Sequence, residues 1–158
     1  MKTFTLNNGV EMPALGYGVF KLTDPAECTA GVIEAVRAGY RLIDTAQAYG
    51  NEEAVGAGIR ACGVDRGALF ITTKLWFKSF ETEDAERALE KSFEKLGLDY
   101  IDMVLLHWPF GNVYAAWRVL EKYYDAGRIR AIGVSNFEPD RLIDLISFNR
   151  IRPAVNQI

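Results

Sequence analysis

The amino-acid sequence predicts an α/β protein: a parallel sheet covered by helices. Three observations predict it. Apolar segments of strand length alternate with segments of helix length along the whole chain. The strand segments are near-continuous apolar runs, as in sheets buried on both faces. Polar residues fall at the C-terminal ends of those runs, where parallel α/β folds gather their functional groups.

The elements follow in order. TFTLNNGVEM (3–12) predicts a β-hairpin, because Asn8-Gly9 suits a tight turn with positive φ between short strands. ALGYGVF (14–20) is a first short strand of the main sheet. DPAECTAGVIEAVRAG (24–39) carries a full helix grammar: Asp24 as N-cap, Pro25 at N1, Glu27 at N3 and Gly39 past the end. Val32, Ile33 and Val36 form its apolar stripe. YRLID (40–44) is a strand and NEEAVGAGIRACG (51–63) a helix. ALFITTKLW (68–76) is a strand, and 81–97 a helix with Ala85, Leu89, Phe93 and Leu96 on one face. DMVLLHW (102–108) is a strand and 114–127 a helix. IRAIGVSNF (129–137) is a strand, PDRLIDLIS (139–147) a helix and RPAVNQI (152–158) a last strand. Six strands thus alternate with five helices.

The 158 residues, 49% apolar and 25% charged, read as one globular domain over 1–158. A net charge of −3 gives no reason to expect nucleic acid or an anionic membrane as partner. No apolar run reaches the ~18 residues of a membrane-spanning helix, and MKTFTLNNGVEMP lacks a signal peptide's apolar stretch. Cys28 and Cys62 match no metal motif and read as two buried free thiols in a reducing cytoplasm.

Two architectures satisfy this alternation: an open doubly wound sheet, or the first six strands of a (β/α)₈ barrel, whose usual length is about 250 residues. Length favours the open sheet; the residues at the strand ends favour the barrel. Asp44 ends one strand, Lys74 the next, His107 the next, and Ser135 and Asn136 the one after, with Asn156 and Gln157 in the last. Each has a bland explanation alone. Asp44 could cap the following helix, Tyr49 could be a half-buried aromatic, Lys74 could snorkel, and the one histidine could be a bonded core residue. Four such residues at one end of one sheet favour a functional site. GAGIRA (56–61) matches a dinucleotide fingerprint, but it lies inside a helix, where it cannot cradle a pyrophosphate. Gly56 and Gly58 read instead as close-packing positions. LGYGVF lacks the fingerprint too, which weakens the open alternative.

GYRLIDTAQAYGNEEAVG, FITTKLW, LDYIDMVLLHWP, IRAIGVSNF and PAVNQI, in that order and spacing, resemble the successive signatures of the aldo-keto reductases. The short segment after HWP resembles bacterial members, such as the 2,5-diketogluconate reductase group, more than the longer-looped animal enzymes. The resemblance implies a (β/α)₈ TIM barrel whose N-terminal hairpin plugs the floor. It implies an oxidoreductase that reduces aldehydes and ketones with NADPH. Asp44, Tyr49, Lys74 and His107 match the family's catalytic set, with Tyr49 as general acid. A free phenol has a pKa of about 10, poorly matched to proton transfer near neutrality; an adjacent ammonium favours the phenolate. Asp44 would hold Lys74, and His107 would orient the substrate carbonyl. Ser135, Asn136 and Gln157 match residues that hold the nicotinamide carboxamide, and Asp44 lies on that side too. Phe20, Trp76 and Trp108 match the aromatic wall of the substrate pocket, with Phe20 where the family often has Trp. No metal is implied.

Against the family's pattern, the chain stops in its sixth strand, before the units that hold the cofactor's 2′-phosphate and pyrophosphate. The expectation is that these residues are part of a longer, monomeric reductase. A true truncation would leave open sheet edges prone to self-association. An inactive fragment, and a binding or regulatory subunit on the same scaffold, are the competing functions.

Overall fold

The computed structural model describes residues 2–158. Two short strands, β1 (Thr3–Thr5) and β2 (Glu11–Pro13), form an antiparallel hairpin. The main sheet is parallel and six-stranded: β3 (Gly16–Gly18), β4 (Leu42–Asp44), β5 (Phe70–Leu75), β6 (Ile101–Leu106), β7 (Ile129–Ser135) and β8 (Asn156–Gln157). Five helices connect them: α1 (Pro25–Arg37), α2 (Glu52–Ala61), α3 (Thr82–Leu96), α4 (Val113–Asp125) and α5 (Pro139–Phe148).

Strand order decides between the two architectures. The strands pair strictly in sequence from β3 to β8. A doubly wound sheet reverses its order at a switch point; this sheet never does. It curls in one sense as part of a barrel wall, as the strand-end residues predict.

The apolar runs divide by pleat. In β6, Ile101, Val104 and Leu106 join the large core between sheet and helices. Met103 and Leu105 point to the other face, into a second cluster with Phe70, Ala131 and Leu6 of the hairpin. Both faces are buried, so the run carries no period-two signal. The hairpin closes the end of the sheet where the strands begin. Asn8 Nδ2 donates to Arg130 O at 2.9 Å and Asn7 Nδ2 to Pro153 O at 3.0 Å.

Local signals mostly hold. Asp24 accepts from Glu27 N at 2.8 Å as the N-cap of α1, and Gly39 takes φ +103° beyond its end. All four residues of the expected α3 stripe are buried. The hairpin turn differs from the expectation. Only Gly9 has positive φ (+84°), and Leu6 N donates to Val10 O. The loop is therefore Asn7–Gly9, a longer connection in which glycine alone takes the left-handed position. Of the segment 14–20 only Gly16–Gly18 is strand. Cys28 is buried, but Cys62 is only half-buried, because it sits at the C-cap of α2.

Gly56 and Gly58 are close-packing positions. A Cβ on Gly56 would lie 2.4 Å from Leu96 O, and one on Gly58 2.7 Å from Val32 Cβ. These glycines let α2 approach the end of α3 and the flank of α1.

Candidate active site

Parallel register brings the polar strand ends to one rim. Asp44 is the last residue of β4 and pairs with Thr72 of β5. Lys74 lies two residues further along β5, buried to 1% exposure. Its side chain donates from Nζ to Asp44 Oδ1 at 2.5 Å, to Thr45 O at 3.0 Å and to Tyr49 Oη at 3.3 Å. An ammonium removed from water needs such a carboxylate and oxygen partners to stay charged.

Tyr49 is carried by a single 3-10 turn, Gln47–Tyr49, between β4 and α2. Its phenol therefore meets Lys74 although the two residues are far apart in the sequence. His107 follows β6 directly, and its N–H donates to Leu75 O, which continues the ladder by one residue. Its ring lies edge-on to Tyr49 with centroids 5.7 Å apart, and to Trp76 at 5.2 Å. The imidazole is 8% exposed, and its Nδ1 is buried with no hydrogen-bond partner among the described residues. Burial first, and then the neighbouring Lys74 charge, push its pKa down to about 4, against the opposing pull of Asp44. It is neutral at physiological pH.

The remaining expected residues gather around these four, with one exception. Gln157 Nε2 donates to Asp44 Oδ2 at 3.2 Å. Ser135 Oγ donates to Gln157 O at 2.9 Å, and Asn136 N donates to the same oxygen at 2.9 Å. Asn136 Nδ2 donates to His107 O at 2.9 Å and to Ser135 Oγ at 3.0 Å. Asn136 sits at φ +60°, a left-handed conformation that Asn tolerates better than most residues. A cavity of about 360 Å³ on the inner face is lined by Asp44, Thr72, Asn156 and Gln157. Phe20 is 64% exposed and packs on Tyr49 at 4.9 Å. Trp76 flanks His107. Trp108 stands further out: it stacks on Phe110 at 5.5 Å, and Phe110 reaches Trp76 only through Phe77.

Two supporting residues escaped sequence reading. Asn51 precedes α2 and would pass for its N-cap, but its side chain makes no cap bond. Its Nδ2 donates instead to Val19 O and Leu22 O, while its Oδ1 accepts from Thr45 Oγ1 at 2.8 Å. This ties the segment after β3 to the segment after β4. Gln47 makes a comparable tie to α3. Asn before a helix is a cap signal by default, so no local pattern distinguishes these tertiary uses.

Among the described residues no helix is long and apolar enough to cross a membrane. Among the described residues no group of three or more His, Cys, Asp or Glu is placed to hold a metal.

Comparison with known proteins agrees with the fold and the motifs. The chain is 51% identical over 157 residues to the glyoxal reductase of Bacillus subtilis, covering 99% of this chain and 57% of that protein. An aldo/keto reductase crystal structure from Brucella melitensis superposes with a TM-score of 0.96 at 43% identity, covering 99% of this chain and 62% of that one. An aldo-keto reductase of Bombyx mori, solved in complex with NADP, superposes at 0.92 with 38% identity, over 99% of this chain and 57% of its own. The chain spans about half the length of the curated relatives it matches. The model of the aldo/keto reductase family matches residues 14–158, from the first strand of the sheet to the last residue, and the chain belongs to that family.

Proposed function

We propose that residues 1–158 belong to one barrel domain that reduces small aldehydes and ketones to alcohols. NADPH is the reductant, and Tyr49 is the general acid. The observation that carries this reading is the Tyr49–Lys74–Asp44 chain: a phenol oxygen 3.3 Å from a buried ammonium that is itself held at 2.5 Å by a carboxylate. A relative named glyoxal reductase supports a small carbonyl substrate, and a neighbour solved with NADP supports the cofactor.

The donor set fits a nicotinamide. A carboxamide offers two N–H donors and one acceptor. Ser135 Oγ, Asn136 and Gln157 stand together at the rim. Among the described residues, Asn136 Oδ1 and Gln157 Oε1 accept no hydrogen bond. These three side chains would hold the carboxamide. The bound cofactor supplies hydride to the carbonyl carbon.

The rest is work for this chain's own residues. Tyr49 Oη gives its proton to the carbonyl oxygen, and the Lys74 ammonium stabilises the phenolate left behind. Asp44 keeps Lys74 charged and in place. Neutral His107 can carry its one proton usefully only on Nε2. On Nδ1 the proton would be a buried donor without an acceptor. Its Nε2–H therefore donates to the substrate oxygen and orients the carbonyl. Phe20, Trp76 and, further out, Trp108 form an apolar wall that holds the substrate and excludes water. The reaction belongs in the cytoplasm, where free thiols such as Cys28 and Cys62 stay reduced.

Tyr49→Phe tests the reading. We expect kcat for a small aldehyde, followed by loss of NADPH absorbance, to fall by about 10²–10⁴-fold. The NADPH dissociation constant should hardly move, because the phenol acts in the transition state. Loss of cofactor binding in parallel with loss of rate would remove Tyr49 from the acid role.

A further inference from the structure

Gln47 stands at the start of the three-residue turn that carries Tyr49, and its side chain uses three hydrogen bonds at once. Its Oε1 accepts from Trp76 N at 2.9 Å. Its Nε2 donates to Ala88 O at 3.0 Å and to Ser92 Oγ at 2.9 Å, both on α3. We propose that Gln47 is a positioning residue that fixes Tyr49 against the Trp76–His107 side of the carbonyl site. This rests on the reading of Tyr49 as the acid.

The geometry requires something of this kind. A single 3-10 turn has almost no stability of its own. Here it is closed by Tyr49 N to Ala46 O at 3.0 Å and Gly50 N to Gln47 O at 3.2 Å. In front, the phenol's hydrogen bond among the described residues is a 3.3 Å contact to Lys74, at the long end for such a bond. In a 3-10 turn the side chains of residues i and i+2 point about 120° apart. Tyr49 therefore faces the site while Gln47 faces away from it, toward α3. The turn is anchored from behind.

One amide thereby joins three parts. Trp76 N belongs to the residue whose indole packs edge-on to His107 at 5.2 Å. Ala88 and Ser92 lie on α3, packed behind β5, which carries Lys74. Ser92 is fully buried, and so is nearly all of Glu52, whose carboxylate accepts from Thr73 Oγ1 at 2.7 Å on the outward face of β5 beside Lys74. The Glu52 carboxyl is held above the usual range by burial, against the hydrogen bonds of Thr73 and Ser92. Gln47, Ser92, Glu52 and Thr73 thus form a polar layer under the turn and under the strand. A displacement of the turn moves the phenol relative to both the ammonium and the carbonyl that His107 orients. A misplacement near 1 Å is enough to cost about 10²-fold in rate.

The test is kinetic, on the intact protein with NADPH. Gln47→Met keeps the side chain's length and removes all three bonds. Gln47→Glu keeps the acceptor for Trp76 N and loses the two donor bonds to α3. We expect Gln47→Met to lower kcat by about 10- to 100-fold, with the NADPH dissociation constant unchanged. The primary deuterium isotope effect on kcat, read with 4-deuterated NADPH, should rise, because a misplaced acid slows the chemical step. Gln47→Glu should recover part of the rate. A variant that merely folds poorly would lose active enzyme but keep the wild-type isotope effect, and that result overturns the proposal. So does wild-type kcat in Gln47→Met. If Gln47→Met yields no soluble protein, Ser92→Ala, which removes one bond of the three, decides by the same isotope criterion. Tyr49→Phe run alongside separates the two readings. If its rate is wild-type, the acid assignment fails. If its rate collapses while Gln47→Met stays normal, only the positioning role fails.

Discussion

The single histidine of the chain makes one electrostatic consequence measurable in isolation. Burial and Lys74 together hold His107 at about 4, against about 6.5 for a histidine in the unfolded chain. A histidine lowered on folding binds its proton more weakly in the native state. As the pH falls below the unfolded value, protons are taken up by the unfolded chain first, and stability is lost. The loss begins near pH 6.5 and is complete below about pH 4. With these two values, the linkage relation gives a loss of about 2.5 kcal/mol between pH ~7.5 and pH ~4.5. Other groups titrate in the same window, and Glu52 acts in the opposite sense. Its raised carboxyl gains a proton earlier in the native state, so its contribution to stability rises as pH falls. Comparison with His107→Gln cancels them. Urea unfolding of both proteins across this range should give a stability difference that shifts by about 2–3 kcal/mol in favour of the variant at the acid end. The imidazole proton resonance of the one histidine should titrate near 4 in the native protein. Parallel stability curves, or a native titration near 6.5, would refute the placement of this ring in a buried site beside a cation.

Removing the cation should move the same titration upward. In Lys74→Met the Lys74 repulsion is gone and the Asp44 attraction remains, so the His107 resonance should titrate above its wild-type value; an unchanged value would remove Lys74 from its surroundings. At Gly56 two effects oppose each other. Alanine favours the helix by about 1 kcal/mol. A Cβ 2.4 Å from Leu96 O, however, forces α2 off the end of α3, at about 1–3 kcal/mol or more. Backbone cannot swing aside as a flexible side chain can, so Gly56→Ala should lower the urea midpoint. A midpoint at or above wild type would mean that the two helices are not in contact there.

Much of this molecule is legible along the chain because its signals are local. Asp24, Pro25 and Glu27 mark the start of a helix within four residues, and the capping bond forms inside that window. The stripe of Ala85, Leu89, Phe93 and Leu96 follows from helical period alone. The continuous apolar runs of β5 and β6 announce burial on both faces. Asp44, Lys74 and His107 stand out as polar groups at the ends of such runs.

The tertiary structure decides what depends on distance across the fold. Strand order, unbroken from β3 to β8, selects the barrel wall over the open sheet, and no single segment encodes that order. Lys74 meets Asp44 across neighbouring strands, and Gln157 meets Asp44 although 113 residues separate them. Asn51 sits at the N-cap of α2, but its side chain makes no capping bond and donates to two carbonyls of the loop after β3. The neutrality of His107 is likewise a property of its neighbours. The sequence by itself determined the elements, their polarity and the residue types at the rim, since these rest on periodicity and on side-chain chemistry a few residues apart. Only the folded chain decided which of those groups share a site, because burial, dielectric and hydrogen-bond distance are set by segments that meet in space and not along the sequence.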